Sequence, residues 1–496
     1  MERICRCVAE GLPSRGRFTQ SSNLMYCTNN RLLFVPLLCC LSVVTFHSVM
    51  ADESAGEMAD TVAKKPNVIL ILADDMAIGD FACLNQNLSR TPRLDRLKQE
   101  SVWFNHAYSA APVCGPARAA LLTGRYPHRT GVVTLNQVTY PKLTRLRKGE
   151  KTAADVFRDH GYTTGLIGKW HCGDGEEYGP LSRGFDTFEG FIDHRHVPSY
   201  FDYRLTVQDD VKAESNQYLT NDLSDRAIDF VRHHRDEPFF LHLAHYAPHR
   251  PLGAPEDRIQ PYLDRGLDRD TSTVYAMIEI MDDGIGNLLD ELDRLNLAQN
   301  TIVLFASDNG PDPLINPRFN HQRRGTKYSV YEGGIHVPLM IRWPGELNPR
   351  DQNRLVHFTD VLPTLIELCE LDSPRTLPLD GRSFAGLMKS DEDQGNASPK
   401  YFWQWNRKTP IYSHNAAMRQ GEWKLIRPYI TRGIPKGESI LPPELYQLSS
   451  DPTESNNVAD QYPDRVKRMA QDLAKWSHSV EADRTRPASR PTENNN

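Results

Sequence analysis

A continuous apolar run, Asn67-Val68-Ile69-Leu70-Ile71-Leu72-Ala73, stops abruptly at two carboxylates, Asp74 and Asp75. A run without polar alternation predicts a strand buried on both faces, as in a parallel sheet covered by helices. Comparable runs recur at 163–168, 239–245 and 301–307, and residues 152–160 and 275–295 space their apolar side chains at helical intervals. Strands alternating with helices predict an α/β fold with a large, mostly parallel sheet sandwiched by helices over 66–395. The texture changes after about residue 395. Short strands are expected at 400–405, 416–418, 422–426 and 445–448, and a helix over 463–477. This predicts a smaller C-terminal subdomain, an antiparallel sheet plus helix, over 396–480. The Pro, Arg, Ser and Asn of 481–496 predict a disordered tail.

The first 51 residues stand apart. Arg31 precedes the apolar stretch 32–44, and Val49-Met50-Ala51 places small residues at a cleavage position. That is the pattern of a secretory signal peptide, too short for the roughly 20 residues of a stable membrane span. Residues 52–65 read as a flexible polar lead-in, and the mature protein is expected in the periplasm or outside the cell. Five of the nine cysteines fall in this leader, leaving Cys83, Cys114, Cys172 and Cys369, too sparse for a disulfide scaffold. With 25% charged residues and a net charge of −6, nothing argues for nucleic acid as a partner.

In parallel sheets ligands bind at the carboxyl ends of the strands. Polar clusters fall there: Asp74-Asp75, Lys169-Trp170-His171, His245 to His249, and Asp308-Asn309-Gly310. Successive strand residues point to opposite faces, so Asp74 and Asp75 converge only where the chain has turned into a loop. With Asp308 and Asn309 they form an all-oxygen set with about three negative charges, suited to a hard cation, calcium before magnesium. Zinc is disfavoured, because no Cys/His group has ligand spacing. Lys169 and His171 share a face in extended chain, and His249 sits on the loop Pro248-His249-Arg250-Pro251 as a candidate proton donor. His242 reads as sheet packing, and His245 stays open. Lys327 precedes the glycine turn Tyr331-Glu332-Gly333-Gly334. Asp282-Asp283-Gly284 interrupts a helical pattern far from any strand end and reads as structural.

The stretch Cys114-Gly115-Pro116-Ala117-Arg118, followed by Leu121-Leu122-Thr123-Gly124, reads as a short helix with proline at its start and glycine at its exit. Cys114 is expected just ahead of it, in the positive field of the N-terminus, with Arg118 one turn on.

Together these residues resemble the type I sulfatase family, of the alkaline-phosphatase-like superfamily. Cys114-x-Pro116-Ala117-Arg118 with Leu121 to Gly124 matches its signature, and Gly161-Tyr162-x-Thr164-x-x-Ile167-Gly168-Lys169-Trp170-His171 its second. The Asp, His and Lys motifs above follow in the family's order, as does Glu444-Leu445-Tyr446-x-Leu448 with Asp451-Pro452 and Asn456-Asn457; the likeness spans roughly 65–475. Ala117 stands where many relatives have serine, and His336 where arginine is common.

The resemblance implies sulfate-ester hydrolysis with one bound Ca2+ and Cys114 converted to Cα-formylglycine, whose hydrate attacks sulfur, by a formylglycine-generating maturation enzyme. Asp74, Asp75, Asp308, Asn309 and residue 114 would hold the metal. Arg118 would steady the hydrate, Lys169 and Lys327 bind sulfate oxygens, His171 assist deprotonation, and His249 protonate the leaving oxygen. Export favours a sulfated sugar or oligosaccharide as substrate. The aromatic residues of 194–203 and 401–405 either stack on sugar rings or form subdomain core. Alternatives are a phosphodiesterase or phosphonate monoester hydrolase with the same site frame, or a silent sulfated-glycan-binding relative.

Overall fold

The strand carrying the first apolar run is β1 (Asn67–Ala73), and all seven of its residues are buried. The chain continues through β2 (Val102–Tyr108), β3 (Thr163–Lys169), β4 (Thr187–Phe191), β5 (Arg204–Val207), β6 (Asp210–Ala213), β7 (Phe239–Ala244), β8 (Thr301–Ser307), β9 (Leu339–Arg342) and β10 (Arg350–His357). This is a computed structural model. It describes residues 65–208, 210–213, 216–315, 318–374, 378–389 and 398–486. The leader at 1–51, the lead-in to residue 64 and the tail from 487 lie outside the described residues.

Among the described residues the ten strands hydrogen-bond in the order β10-β2-β9-β8-β1-β7-β3-β4-β5-β6. The centre, β8-β1-β7-β3-β4, is parallel, as is the β10–β2 pair, while β9, β5 and β6 run antiparallel. Alternation along β1 sends Val68, Leu70 and Leu72 into one core, with Ala117 and Leu121 of the helix Cys114–Thr123. Ile69, Ile71 and Ala73 enter the other, against Met277 and Ile285 of the helix Arg269–Arg294. Ala73 pairs with Ser307, Leu72 with Ala244, and Gly168 also with Ala244. Four neighbouring strands therefore deliver their next residues to one edge.

The second sheet is β11 (Lys400–Gln404), β12 (Ala416–Gln420), β13 (Trp423–Arg427) and β14 (Glu444–Gln447), antiparallel throughout. One face packs Ala416, Met418, Leu425 and Leu445 on Met469, Leu473, Trp476 and Val480 of the helix Pro463–Thr485. The other packs Trp403, Ala417 and Ile426 on Val330, Tyr331 and Ile335, the segment that follows Lys327.

Two expectations are corrected. The terminal helix runs past Ser477 to Thr485, so residues 481–485 are helical rather than tail. Its last turns are anchored: Tyr412 donates to Glu481 at 3.0 Å, and Arg129 to Asp483 at 2.5 Å. Asp282-Asp283-Gly284 does not interrupt its helix, which is continuous over Arg269–Arg294. Asp282 instead caps a neighbour, accepting from the backbone N–H of Arg93 (3.0 Å) and Leu94 (2.6 Å) in the first turn of the helix Pro92–Gln99. No helix among the described residues is long and apolar enough to cross a membrane.

Asp282→Ala removes both acceptors and is expected to cost about 1–2 kcal/mol, the range for losing a helix cap. Burial pushes the Asp282 carboxyl up to about 7. A folded-state value above the unfolded one makes its stabilising contribution fullest in acid and lost as pH rises through the folded value. Chemical denaturation should therefore show a larger wild-type-to-variant difference near about pH 5 than near about pH 8.

Candidate active site

The helix Cys114–Thr123 opens at Cys114 itself, with Val113 extended before it and Gly124 closing it at φ 65°. This corrects the expected register: Cys114 is the first helical residue, and Pro116, the third, still falls among the N–H groups a helix leaves unpaired. Every residue of the helix is buried, Arg118 included.

Arg118 ties three strand ends together. Its Nε donates to Asp308 Oδ2 at 2.9 Å and its Nη1 to the carbonyl of Lys169 at 3.0 Å. Its Nη2 lies 2.8 Å from Asp308 Oδ2 and 3.3 Å from Asp74 Oδ2. Asp75 adopts φ 68°, a left-handed turn that breaks strand alternation directly after Asp74. Asn309 Nδ2 then donates to Asp75 Oδ1 at 2.6 Å, and the Asp75 N–H to Asp308 Oδ1 at 3.3 Å. Gly310 permits this closeness: a Cβ there would lie 1.9 Å from the carbonyl oxygen of Gly333.

Lys169 Nζ reaches Asp74 Oδ2 at 2.5 Å, and Lys327 Nζ reaches Asp75 Oδ1 at 2.7 Å. Asp74, Cys114 and Asp308 bring ligand atoms within 4.8 Å of one another, as do Asp74, Asp75 and His249. Burial opposes the charge on Asp74, but Lys169, with His249 and Arg118, holds its carboxyl well below the usual range. Burial and the charge of Asp74 push Asp308 up to about 7. Asp74 Oδ1 and Asn309 Oδ1 are buried and accept no hydrogen bond. Asp74, Asp75, Asp308 and Asn309 thus form an all-oxygen set in which two buried acceptor oxygens have no protein partner, and such a set fits a hard cation.

His171 follows β3 in a left-handed turn, φ 58°, with Nε2 3.3 Å from the Leu135 carbonyl and Nδ1 buried without a partner. His249 gives its Nδ1 proton to the Arg250 carbonyl at 2.6 Å, and its Nε2 lies 3.7 Å from Asp75 Oδ2. Burial and Lys327 hold that imidazole well below its ordinary value. Cys114, Lys169, His171, His249 and Lys327 line one cavity of about 620 Å³. Burial raises the Cys114 thiol, the wrong direction for a thiolate nucleophile. His242 packs in the sheet against the Leu70 carbonyl at 3.0 Å. His245 is buried with neither ring nitrogen bonded.

Three things escaped the sequence reading. Tyr246, inside the flagged 245–249 cluster, places its ring 5.2 Å from Lys169 Nζ and 4.8 Å from the His249 ring. Glu332 is buried, accepting from Tyr108 OH at 2.6 Å and Lys424 Nζ at 2.8 Å, beside His336 Nδ1 at 3.1 Å. Lys424 also meets Glu454 at 2.8 Å, so the turn after Lys327 is pinned to β13. The usable signal was a lysine inside the apolar strand Trp423–Arg427. Of the aromatic residues, Tyr401, Trp403 and Trp405 are core, while His194 lines the cavity.

The sequence model of the sulfatase family matches residues 66–371, and that of the N-sulphoglucosamine sulphohydrolase C-terminal region matches 324–479. The N-acetylgalactosamine-6-O-sulfatase of Bacteroides thetaiotaomicron is 29% identical over 89% of this chain and 98% of its own. The N-acetylgalactosamine-6-sulfatase of Rattus norvegicus is 32% identical over 66% of this chain and 67% of its own. The solved structure of Ps i-CgsB with k-i-k-neocarrahexaose superposes with a TM-score of 0.75 at 28% identity, covering 85% of this chain and 94% of that one.

Titrating chelator-stripped protein with calcium chloride is expected to raise Tm by several degrees. Saturation a hundredfold above Kd is worth about 2.7 kcal/mol. Asp308→Ala should abolish the rise, and an equal rise in that variant would remove Asp308 from the cation site.

Proposed function

This chain belongs to the sulfatase family of sulfuric ester hydrolases, and from that premise we propose that it desulfates a sulfated carbohydrate outside the cytoplasm, exported by the leader at 1–51. The observation that carries the reading is the meeting of Cys114, Asp74 and Asp308 within 4.8 Å in a cavity that Lys169, His171, His249 and Lys327 also line. The saccharide sulfatases among its relatives and the neighbour solved with a neocarrahexaose support a sugar substrate. The overall reaction consumes water and releases the alcohol and inorganic sulfate.

When in place, calcium supplies a Lewis acid to the ester oxygens, and Cα-formylglycine made from Cys114 supplies an oxygen nucleophile. Asp74, Asp75, Asp308 and Asn309, with the side chain at 114, would hold the ion. Arg118 keeps Asp74 and Asp308 in register with the residue 114 helix through its three-way ties. Lys169 and Lys327 line the cavity as fixed cations and would bind sulfate oxygens that gain charge during displacement. His171 is the candidate to take a proton at residue 114, having a ring nitrogen without a protein partner. His249 has its Nδ1–H committed to the Arg250 carbonyl, so Nε2 is the nitrogen that would take up a proton as the sulfate anion binds and hand it to the departing alcohol, burial and Lys327 making the charged ring a strong acid.

Burial also bears on maturation. Every residue of the helix Cys114–Thr123 is enclosed, so a formylglycine-generating enzyme must meet this segment before it packs. We assign 66–395 to the chemistry and the segment from 396 to the end of the terminal helix at 485 to its support.

Mass spectrometry of the peptide containing Cys114 should show an aldehyde in place of the thiol; unmodified cysteine in fully active enzyme would overturn the mechanism. Cys114→Ala should abolish sulfate release with Tm retained. 4-Nitrophenyl sulfate should be turned over faster than 4-nitrophenyl phosphate, the reverse pointing to a phosphoester hydrolase. His249→Gln should lower kcat on sugar sulfates by roughly 10²–10⁴-fold, the usual range for a general acid. The loss on 4-nitrophenyl sulfate should be much smaller, because 4-nitrophenolate departs without a proton.

A further inference from the structure

The wall of the cavity contributed by the C-terminal subdomain carries positive charge that no carboxylate among the described residues pairs with. Arg118, Lys169 and Lys327 are matched against Asp308, Asp74 and Asp75. Arg250, also on the wall, is matched by Asp312 at 2.6 Å. Arg407 lines the same cavity and is different. Its Nε donates to the backbone carbonyl of Arg432 at 2.8 Å, and among the described residues neither Arg407 nor Arg432 pairs with a carboxylate.

Both guanidinium groups are positioned by one aromatic ring. Arg432 lies 4.2 Å and Arg407 5.9 Å from the ring centroid of Tyr328, and Arg432 Nη2 donates to Tyr328 OH at 3.1 Å. Tyr328 is fixed in turn. It is buried at φ 81°, its N–H donates to the Pro112 carbonyl at 2.8 Å, its carbonyl accepts from Asn415 Nδ2 at 2.8 Å, and its ring lies 5.4 Å from that of Trp405. Two like charges on one rigid platform repel each other, and that cost is offset when an anion arrives. A guanidinium keeps several N–H donors in a planar fork, a shape that matches sulfate or carboxylate oxygens.

We propose that Arg407 and Arg432 form a second anion subsite, so that the preferred substrate is a saccharide carrying another negative group, sulfate or carboxylate, besides the ester that is cleaved. This rests on the sulfatase reading. The buried floor around Cys114 takes the scissile sulfate, and the half-exposed arginines recognise the sugar portion that leaves. The subsite sets specificity and has no part in bond breaking.

The test compares monosulfated monosaccharides with matched derivatives bearing one added sulfate or one uronate, using 4-nitrophenyl sulfate as a reference. For the wild type, kcat/KM should be higher on at least one doubly charged partner, through a lower KM, with the advantage shrinking as salt is raised. Which derivative gains tells sulfate from carboxylate. Arg407→Met and Arg432→Met should each reduce the doubly-to-singly charged ratio of kcat/KM by roughly tenfold to hundredfold, the span for a charge-assisted hydrogen bond. Arg407→Lys should restore part of it. An unchanged ratio, or proportional losses on all substrates including 4-nitrophenyl sulfate, would overturn the subsite and leave the sulfatase reading standing. A wild type that releases no sulfate from any of these esters would overturn both.

Discussion

Everything at the strand ends follows from the burial of three carboxylates. Asp74, Asp75 and Asp308 are fully enclosed, and charges of one sign at such spacing cannot be left uncompensated in a low-dielectric interior. The fold answers with three enclosed cations drawn from three other places: Arg118 from a helix, Lys169 from the end of β3, and Lys327 from a loop. Satisfying the carboxylates draws the helix that opens at Cys114, Lys169, Lys327 and the sheet edge to one point. The charge balance is thus both a folding constraint and the frame of the candidate site.

Legibility in the sequence followed locality. β1, β7 and β8 were readable because each is a largely apolar run, β3 because Leu166-Ile167 lies among small uncharged residues, and their carboxyl ends were readable as a site because polar residues begin where each stops. β2, β9 and β10 were not. Val102–Tyr108 reads Val-Trp-Phe-Asn-His-Ala-Tyr, and Arg350–His357 is mostly polar because it is an edge strand. The antiparallel β9 is only Leu339–Arg342, too short to carry a pattern.

The same rule divides the site. Asp74 and Asp75 were legible as converging residues, because strand geometry itself requires a turn between them. Glu332 was not, since its partners Tyr108 and Lys424 are remote in sequence and only the folded chain brings them together. Asp282 shows the converse error. A carboxylate pair inside a helical stretch looked like a break, yet its first member serves another helix altogether.

The C-terminal sheet gives the molecule a division of labour. One of its faces and the buried Lys424 are committed to holding the turn beyond Lys327, whereas Arg407 and Arg432 stand on the connections between its strands. Connections of this kind accept substitution and insertion far more readily than packed strands do. A lineage built on this plan can therefore exchange the ester it accepts by rewriting a few surface loops, while inheriting the buried cluster at the strand ends intact.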